Sequence, residues 1–404
     1  MEPIDKNLPA DSLPETEAAE VQPDESVMVE PALSEDVPPT AISDEAASTE
    51  AASDESEKAS SQDAASGTYR GINILKFWLM PFVCFASFGF PGPYGAFVSR
   101  LSLFAPIAFY ILCGFLLSAN EKDDPDIYKR LMKRSAWQFA LIFVILVIMN
   151  GVLLGATGMF GEAASQIFRK RTLFNIIVLC TWPFPIGETI WFIQSLLYAR
   201  IILFFMNKYG LMKHYKKVLA ATALFAVLFG EFAGIIHFDF HGYTSIPGNA
   251  ITRAIPYMLL GRLMYEKRDA LLSRPSWNYC LAFLVGIFAS VAEIMLLSRI
   301  GRLVYSGHMI GYGLMAFSAC CLFLKMKDVE KNFFVIHGRS YSWRIYVLSQ
   351  PVGNLLLLWA GFVAPTFYVL MQVFGGIIVY PVCLAICFGI GYVRHLVREE
   401  KRMP

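Results

Sequence analysis

Residues 136–156 read AWQFALIFVILVIMNGVLLGA, twenty-one positions without a charge. A helix needs roughly 20 mostly apolar residues to cross the hydrocarbon of a bilayer. The residues just before it, Tyr128-Lys129-Arg130-Leu131-Met132-Lys133-Arg134, place four cations in seven positions. An uncharged run with a cationic flank predicts a spanning helix that starts on the cytoplasmic side. Working outward on the same scale yields nine more segments: about 72–90, 99–118, 188–206, 218–236, 253–265, 278–297, 307–324, 344–360 and 367–393. The expected fold is therefore an all-α integral membrane protein of about ten transmembrane helices. The apolar piece 172–184 ends in Trp182-Pro183-Phe184-Pro185 and is too short and Pro-rich for another crossing; it reads as re-entrant or interfacial.

Composition agrees. The chain is 56% hydrophobic and only 17% charged, whereas soluble domains run near 25% charged. Its net charge of +1 averages two opposite parts. Residues 1–67 hold 18 acids against Lys6 and Lys58, a net of −16, with seven prolines and no aromatic residue. Residues 68–404 are net +17 and hold every aromatic side chain. Such an acidic Ala/Ser/Glu/Pro-rich segment cannot bury enough apolar surface to offset chain entropy, which predicts a disordered cytoplasmic tail over 1–67. It serves as an interaction tether or as a solubilising extension; a charge block specifies no partner. The membrane domain spans 68–398, and 399–404 form a short cytoplasmic C-terminus. The eight cysteines all fall in apolar segments, none at metal-ligand spacing with histidine, so neither a disulfide framework nor a metal is expected. A nucleic-acid partner is not expected either.

Loop charge orients the helices. With 172–184 not crossing, the Lys/Arg-rich connections 119–135, 207–217, 266–276 and 325–343 fall on one side with the C-terminus and the tail. The opposite loops 91–98 and 237–252 have no Lys or Arg, while 157–171 and 298–306 carry a few. The bias predicts both termini in the cytoplasm and a multi-pass protein of the plasma membrane. Counting 172–184 as a crossing would export the Lys-rich 207–217 loop.

Charge inside a membrane needs a reason. Lys76 sits one turn into the first span, and Ser87 follows eleven residues later. That spacing is about 20° past three full turns and about 16 Å along the axis, so both share a face. They suit a channel across the bilayer; equally, Lys76 snorkels to headgroups and Ser87 back-bonds to its own helix. The Lys129–Arg134 cluster suits a polyanion such as coenzyme A, through Arg forks and Lys point charges, or acts as a positive-inside signal. Arg253 and Arg344, with Glu188, Glu231 and Glu293, form interior ion pairs or line a polar cavity; the sequence does not rank the two.

The order of these features resembles the membrane-bound acyltransferase family 3, whose members O-acylate glycans and related surface molecules. Gly71-Ile72-Asn73-Ile74-Leu75-Lys76 looks like its opening motif, a basic residue in the first span followed eleven residues later by histidine. Ala108-Phe109-Tyr110-Ile111-Leu112-Cys113-Gly114-Phe115-Leu116-Leu117 looks like its FF-x-x-SGFLL segment. The Lys129–Arg134 cluster is similar to its basic loop, and Thr189-Ile190-Trp191-Phe192-Ile193 resembles HLWFL. Ile255-Pro256-Tyr257-Met258-Leu259-Leu260-Gly261 is similar to its lpfFllG segment. Tyr341-Ser342-Trp343-Arg344-Ile345-Tyr346-Val347-Leu348-Ser349-Gln350-Pro351 looks like SLxIYLLHQP. The likeness covers residues 70–398.

What the resemblance implies is an acyltransferase. It would move an acyl group, most simply acetyl, from cytoplasmic acyl-coenzyme A to a hydroxyl of an extracytoplasmic glycan or surface molecule. Lys76, Arg130, Lys133 and Arg134 would neutralise the coenzyme, and Ser87 would occupy the reacting region. The departures are chemical: Ser87, Thr189 and Ser349 stand where the motifs carry histidine. Ser or Thr cannot supply a general base unaided. Histidines expected on the extracytoplasmic side are His237, His241 and His308, and His237 and His241 are the candidate substitute bases. Three replaced histidines leave a second reading open, a catalytically degenerate relative acting as a glycan carrier or membrane scaffold. An ion-coupled transporter would show two related halves with broken helices, and no internal repeat is seen.

Overall fold

The structure, a computed structural model, describes residues 69–88, 92–123, 125–156, 158, 161, 165, 169–180, 187–231, 249–299, 310–326, 329–330 and 332–400. The acidic stretch 1–67 lies outside them. All described residues belong to one unit of the chain, Glu55–Pro404. Helices dominate: α1 (Arg70–Ser87), α2 (Gly92–Leu101), α3 (Phe104–Asp123), α4 (Pro125–Ala156), α5 (Lys170–Ile177), α6 (Gly187–Lys208) and α7 (Tyr215–Ala226). After them come α8 (Ile255–Glu266), α9 (Arg268–Ser273), α10 (Ser276–Arg299), α11 (Ile310–Leu324), α12 (Phe333–Ser340), α13 (Ser342–Val363) and α14 (Pro365–Glu400). Two π-helical turns, Val227–Glu231 and Ala250–Ala254, extend α7 and lead into α8. No strand occurs among the described residues.

Each of the ten expected segments contains a helix, and six stretches are long and apolar enough to cross a membrane: Phe97–Asn120, Lys133–Ala156, Ile190–Lys208, Ser276–Arg299, Ser342–Val363 and Pro365–Leu396. The others differ for local reasons. α1 carries Arg70, Asn73 and Lys76 in only 18 residues. α7 and α8 are 12 residues each before their π turns are added, and α11 has 15. The basic stretch expected as the 119–135 loop is helical instead: α4 starts at Pro125 and runs 32 residues. Proline is favoured in a first turn because its missing N–H costs nothing there. The 172–184 segment is a short helix, α5, that stops before Cys180, whose φ is +54°.

The outer helices show what surrounds them. On α4, Trp137, Leu141, Val144, Ile148 and Val152 form one exposed stripe, and Trp277, Leu281, Leu284 and Phe288 do the same on α10. Their spacing of three and four residues is one helix face. Apolar stripes of this length on a soluble protein would drive aggregation; facing lipid they cost nothing. This is a membrane protein.

Inside, close backbone contacts hold the bundle. α3 and α8 lie side by side: a Cβ on Gly114 would stand 1.9 Å from the Met258 carbonyl oxygen, and one on Gly261 2.1 Å from that of Ile111. Small residues permit such approach where no hydrophobic effect drives helices together. α10 and α11 meet likewise at Gly286, Ser290 and Gly311. α1 is the hub, touching α3, α11, α12, α13 and α14. α14 bends at Phe374, just before Gly375 and Gly376, and those two glycines receive Phe85 of α1 and Phe88, the residue that follows it. At one end of the bundle the Tyr215 hydroxyl donates to Glu266, which also meets Lys216 at 3.6 Å and Arg262 at 3.7 Å.

Candidate functional site

Two groups of candidate side chains lie in the interior of the bundle. The first begins with the unusual backbone before α8. Asn249 Oδ1 accepts from the backbone N–H of Ile251 at 2.8 Å and of Thr252 at 3.0 Å, while Thr252 Oγ1 accepts from Asn249 N–H at 3.1 Å. This reciprocal cap fixes the π turn Ala250–Ala254. Single π turns inside helical segments recur at functional sites. Here the turn delivers Arg253, buried, with its guanidinium carbon 4.7 Å from the centre of the Trp191 ring on α6.

Tyr110, Tyr257, Tyr312 and Tyr346, from α3, α8, α11 and α13, lie within electrostatic reach of Arg253. Tyr110 and Ser195 share a 2.5 Å hydrogen bond. Because Ser195 Oγ donates to the Phe192 carbonyl at 2.9 Å, its one proton is committed, and Tyr110 is the donor in the shared bond. Phe192 is packed between Tyr110 and Tyr346, with ring centres 4.6 and 4.4 Å away. Arg253 therefore sits in the interior beside the Trp191 indole and within electrostatic reach of four phenols.

The second group lies along α1 and α3. α3 is buried on all sides from Phe104 to Leu112; below that, Cys113, Leu116 and Asn120 are partly accessible while the residues between them are buried. Spaced by three and four, they form one stripe. That face carries Phe109 and Tyr110 a turn earlier, against Tyr346 and Phe192, so it points into the bundle. At the top of the stripe, Lys76 of α1 is enclosed by protein yet partly accessible, and it lies within electrostatic reach of the Cys113 thiol. At the bottom, about 15 Å further along α3, the chain turns into the basic start of α4.

The predicted residues are distributed unevenly over this arrangement. Lys76 is in the interior. Lys133 and Arg134 are exposed near the start of α4, and Arg130 is on the same helix, its side chain outside the described residues. With Lys129, they place four cations on the opening turns of α4, which also carry Asp126. Ser87 is the last residue of α1, about 16 Å along the helix from Lys76. It is partly accessible, and the next residue, Phe88, packs on Gly353 and Gly375. His237, His241 and His308 lie outside the described residues, as does the Thr189 side chain. Ser349 is fully buried, its hydroxyl donating to the Tyr346 carbonyl at 2.9 Å. Among the described residues no group of three His, Cys, Asp or Glu could hold a metal ion.

Sequence reading missed Tyr110, Ser195, Tyr346 and Cys113. Tyr110, Cys113 and Tyr346 stand inside quoted motif segments, which was the available signal; Ser195 had none. No family model, no curated protein and no solved structure matches this chain.

Proposed function

We propose that this protein is a membrane O-acyltransferase of the acyltransferase 3 kind. It moves an acyl group, acetyl in the simplest case, from cytoplasmic acyl-coenzyme A to a hydroxyl of an extracytoplasmic glycan or other surface molecule. What supports the reading is placement: the partly accessible stripe Cys113–Leu116–Asn120 runs down α3 toward the end at which α4, with its cations, begins, and Lys76 of α1 lies within electrostatic reach of its upper end. A phosphate-bearing coenzyme pairs with Lys133, Arg134 and Arg130. Its thioester arm then follows the stripe into the bundle.

The ten helices are read as ten crossings of the plasma membrane with both termini in the cytoplasm, so the acceptor enters from the end of α1 that carries Ser87. In the transfer, the acceptor oxygen attacks the acyl carbonyl, the carbon–sulfur bond breaks, and coenzyme thiol leaves with the proton. His237 or His241 is the candidate group to take that proton first.

The buried Ser349 favours the second reading at one point. Sealed and bonded to its own helix, it cannot stand in for a motif histidine, as a degenerate carrier or scaffold would have it. Purified protein titrated with acetyl-coenzyme A separates the two. Micromolar or tighter binding with release of free coenzyme thiol on adding glycan acceptor supports the transferase. No binding and no release leaves the carrier. Ser87→His sharpens the comparison: activity that appears or rises means a lost base was restored, since a positioned base contributes roughly 10²–10⁴-fold.

A further inference from the structure

We infer that an apolar groove between α1, α3, α10 and α11 holds one acyl chain of an anionic glycerophospholipid from the bilayer, with the headgroup on Arg274 and Lys325 at its mouth. The groove is a cavity of about 210 Å³. Leu75 and Leu79 of α1 form one wall, and Ala319 and Leu322 of α11 another. Phe323 lines it near the end of α11, and Phe104 lies at its far end, edge-on to Phe82 at 5.2 Å and to Phe283 at 5.8 Å. Apart from the Trp78 indole, Ser318 is the one polar side chain in this lining, and its hydroxyl is buried with no hydrogen-bond partner among the described residues. Such a wall offers hydrocarbon contact and penalises a polar ligand.

Size, continuity and charge choose the occupant. A volume of about 210 Å³ falls below the roughly 300–1,000 Å³ of small-molecule pockets. A helix with its side chains is about 10–12 Å across and does not enter either. A single hydrocarbon chain does. From Leu75 to Phe82 the groove follows α1 for about 10 Å, within the roughly 15 Å that one leaflet contributes to the hydrocarbon core.

The groove is also continuous with the surface already placed against lipid. Trp78 and Phe82 at its rim are 49% and 36% exposed, and Phe283 stands next to the lipid-facing Leu284 of α10. At the opposite end from Phe104 the chain supplies cations. The backbone at Gly71 packs on the carbonyl oxygens of Phe323 and Met326, so α1 starts where α11 ends. Two residues past Phe323, Lys325 Nζ donates to the carbonyl of Arg274, just ahead of α10. Arg274 is exposed and Lys325 partly so, and neither makes an ion pair among the described residues. Arg70 is nearby but donates to the Val329 carbonyl at 3.0 Å, beside the exposed Glu330. Basic sites between helices at the cytoplasmic side of a membrane take anionic headgroups. An apolar slot that ends at two cations therefore fits a lipid with a negative headgroup and excludes none of its length.

The test uses the full-length protein in phosphatidylcholine nanodiscs doped with phosphatidylglycerol that carries a diazirine on one acyl chain. Irradiation and peptide mass spectrometry should place the chain on Phe283 or on residues 318–323. Native mass spectrometry should find one phosphatidylglycerol retained under conditions that strip phosphatidylcholine. Arg274→Ala with Lys325→Ala should weaken that retention about tenfold, leaving the melting temperature in pure phosphatidylcholine unchanged. Ala319→Phe should fill the groove and remove the crosslink, whereas Leu284→Phe on the outer stripe should not. The crosslink in the parent protein decides the point even where Ala319→Phe fails to fold. Crosslinks spread evenly over α4 and α10, or equal retention of the two lipids, overturn the site. A second copy of the chain crosslinked at Trp78 and Phe82 overturns it too, and makes the groove an interface between copies.

Discussion

Gly114 has no room for a side chain: a Cβ would stand 1.9 Å from the backbone oxygen of Met258, which cannot swing aside as a flexible side chain would. Gly114→Ala should therefore push α3 from α8 and destabilise the protein by about 1–3 kcal/mol, as overpacking does. Gly155→Ala, with nothing within 4 Å of its Cβ, should be neutral or slightly stabilising. Thermal unfolding of the two variants in detergent checks this, and equal melting temperatures would refute the contact. His337 on α12 offers a second test outside the spans. Its ring packs against Phe333, Tyr341 and Phe388, and its Nδ1 is buried with no partner in the structure. Burial holds its pKa below 6.5. The unfolded chain then binds a proton more readily than the folded one, so this contribution is complete above about pH 6.5 and is lost as pH falls below it. His337→Phe should flatten the decline in melting temperature between about pH 7 and 5 relative to the parent. At this scale the sequence is least legible. Lys76 is visible as a charge in an apolar run, but Cys113 looks like any buried hydrophobe until burial shows which face stays open.

At the scale of elements, the apolar runs were readable because length and hydropathy decide whether a helix can cross a membrane. Their ends were not. The basic stretch before residue 136 reads as a loop by charge, yet Pro125 starts a helix that carries Lys129, Arg130, Lys133 and Arg134 on its first turns. The π turns at Val227–Glu231 and Ala250–Ala254 left no pattern in hydropathy; only the Asn249 and Thr252 pair, read as a cap, hints at the second. Arg253 lies within electrostatic reach of tyrosines drawn from four helices far apart in the chain, which no local pattern can announce. The start of α4 carries its own prediction. Each charge-assisted contact to phosphate is typically worth about 1.5–3 kcal/mol, reduced by salt at an exposed site. Arg130→Ala with Arg134→Ala should weaken acetyl-coenzyme A binding at least about tenfold by calorimetry. The loss should shrink as ionic strength rises. An unchanged affinity would move the coenzyme away from this helix.

For the whole molecule, apolar surface sets which helices meet lipid and the distribution of Lys and Arg sets the orientation. Exposed apolar stripes on α4 and α10 place these helices against lipid. Along α1, α3 and α11 the contacts alternate in direction: Tyr69 meets Phe115 while Phe82 meets Phe104, and Gly71 faces the end of α11 at Phe323 and Met326. The start of α1 therefore lies at the same end of the bundle as the end of α3, the start of α4 and the end of α11. That end gathers Lys122, Lys129, Arg130, Lys133, Arg134 and Lys325, the enrichment expected of a cytoplasmic face. Residues 209–215, between α6 and α7 with Lys213 exposed, should share it, and the 240–248 stretch with no Lys or Arg should lie opposite. In intact cells, a membrane-impermeant maleimide should label a cysteine introduced in 240–248 and spare one introduced in 209–215, on a background where Cys113 and Cys280 are replaced by serine. Permeabilising the cells should expose the second site. Labelling of 209–215 from outside would mean that the 172–184 segment crosses after all. The basic start of α4 and residues 209–215 would then face opposite sides of the membrane.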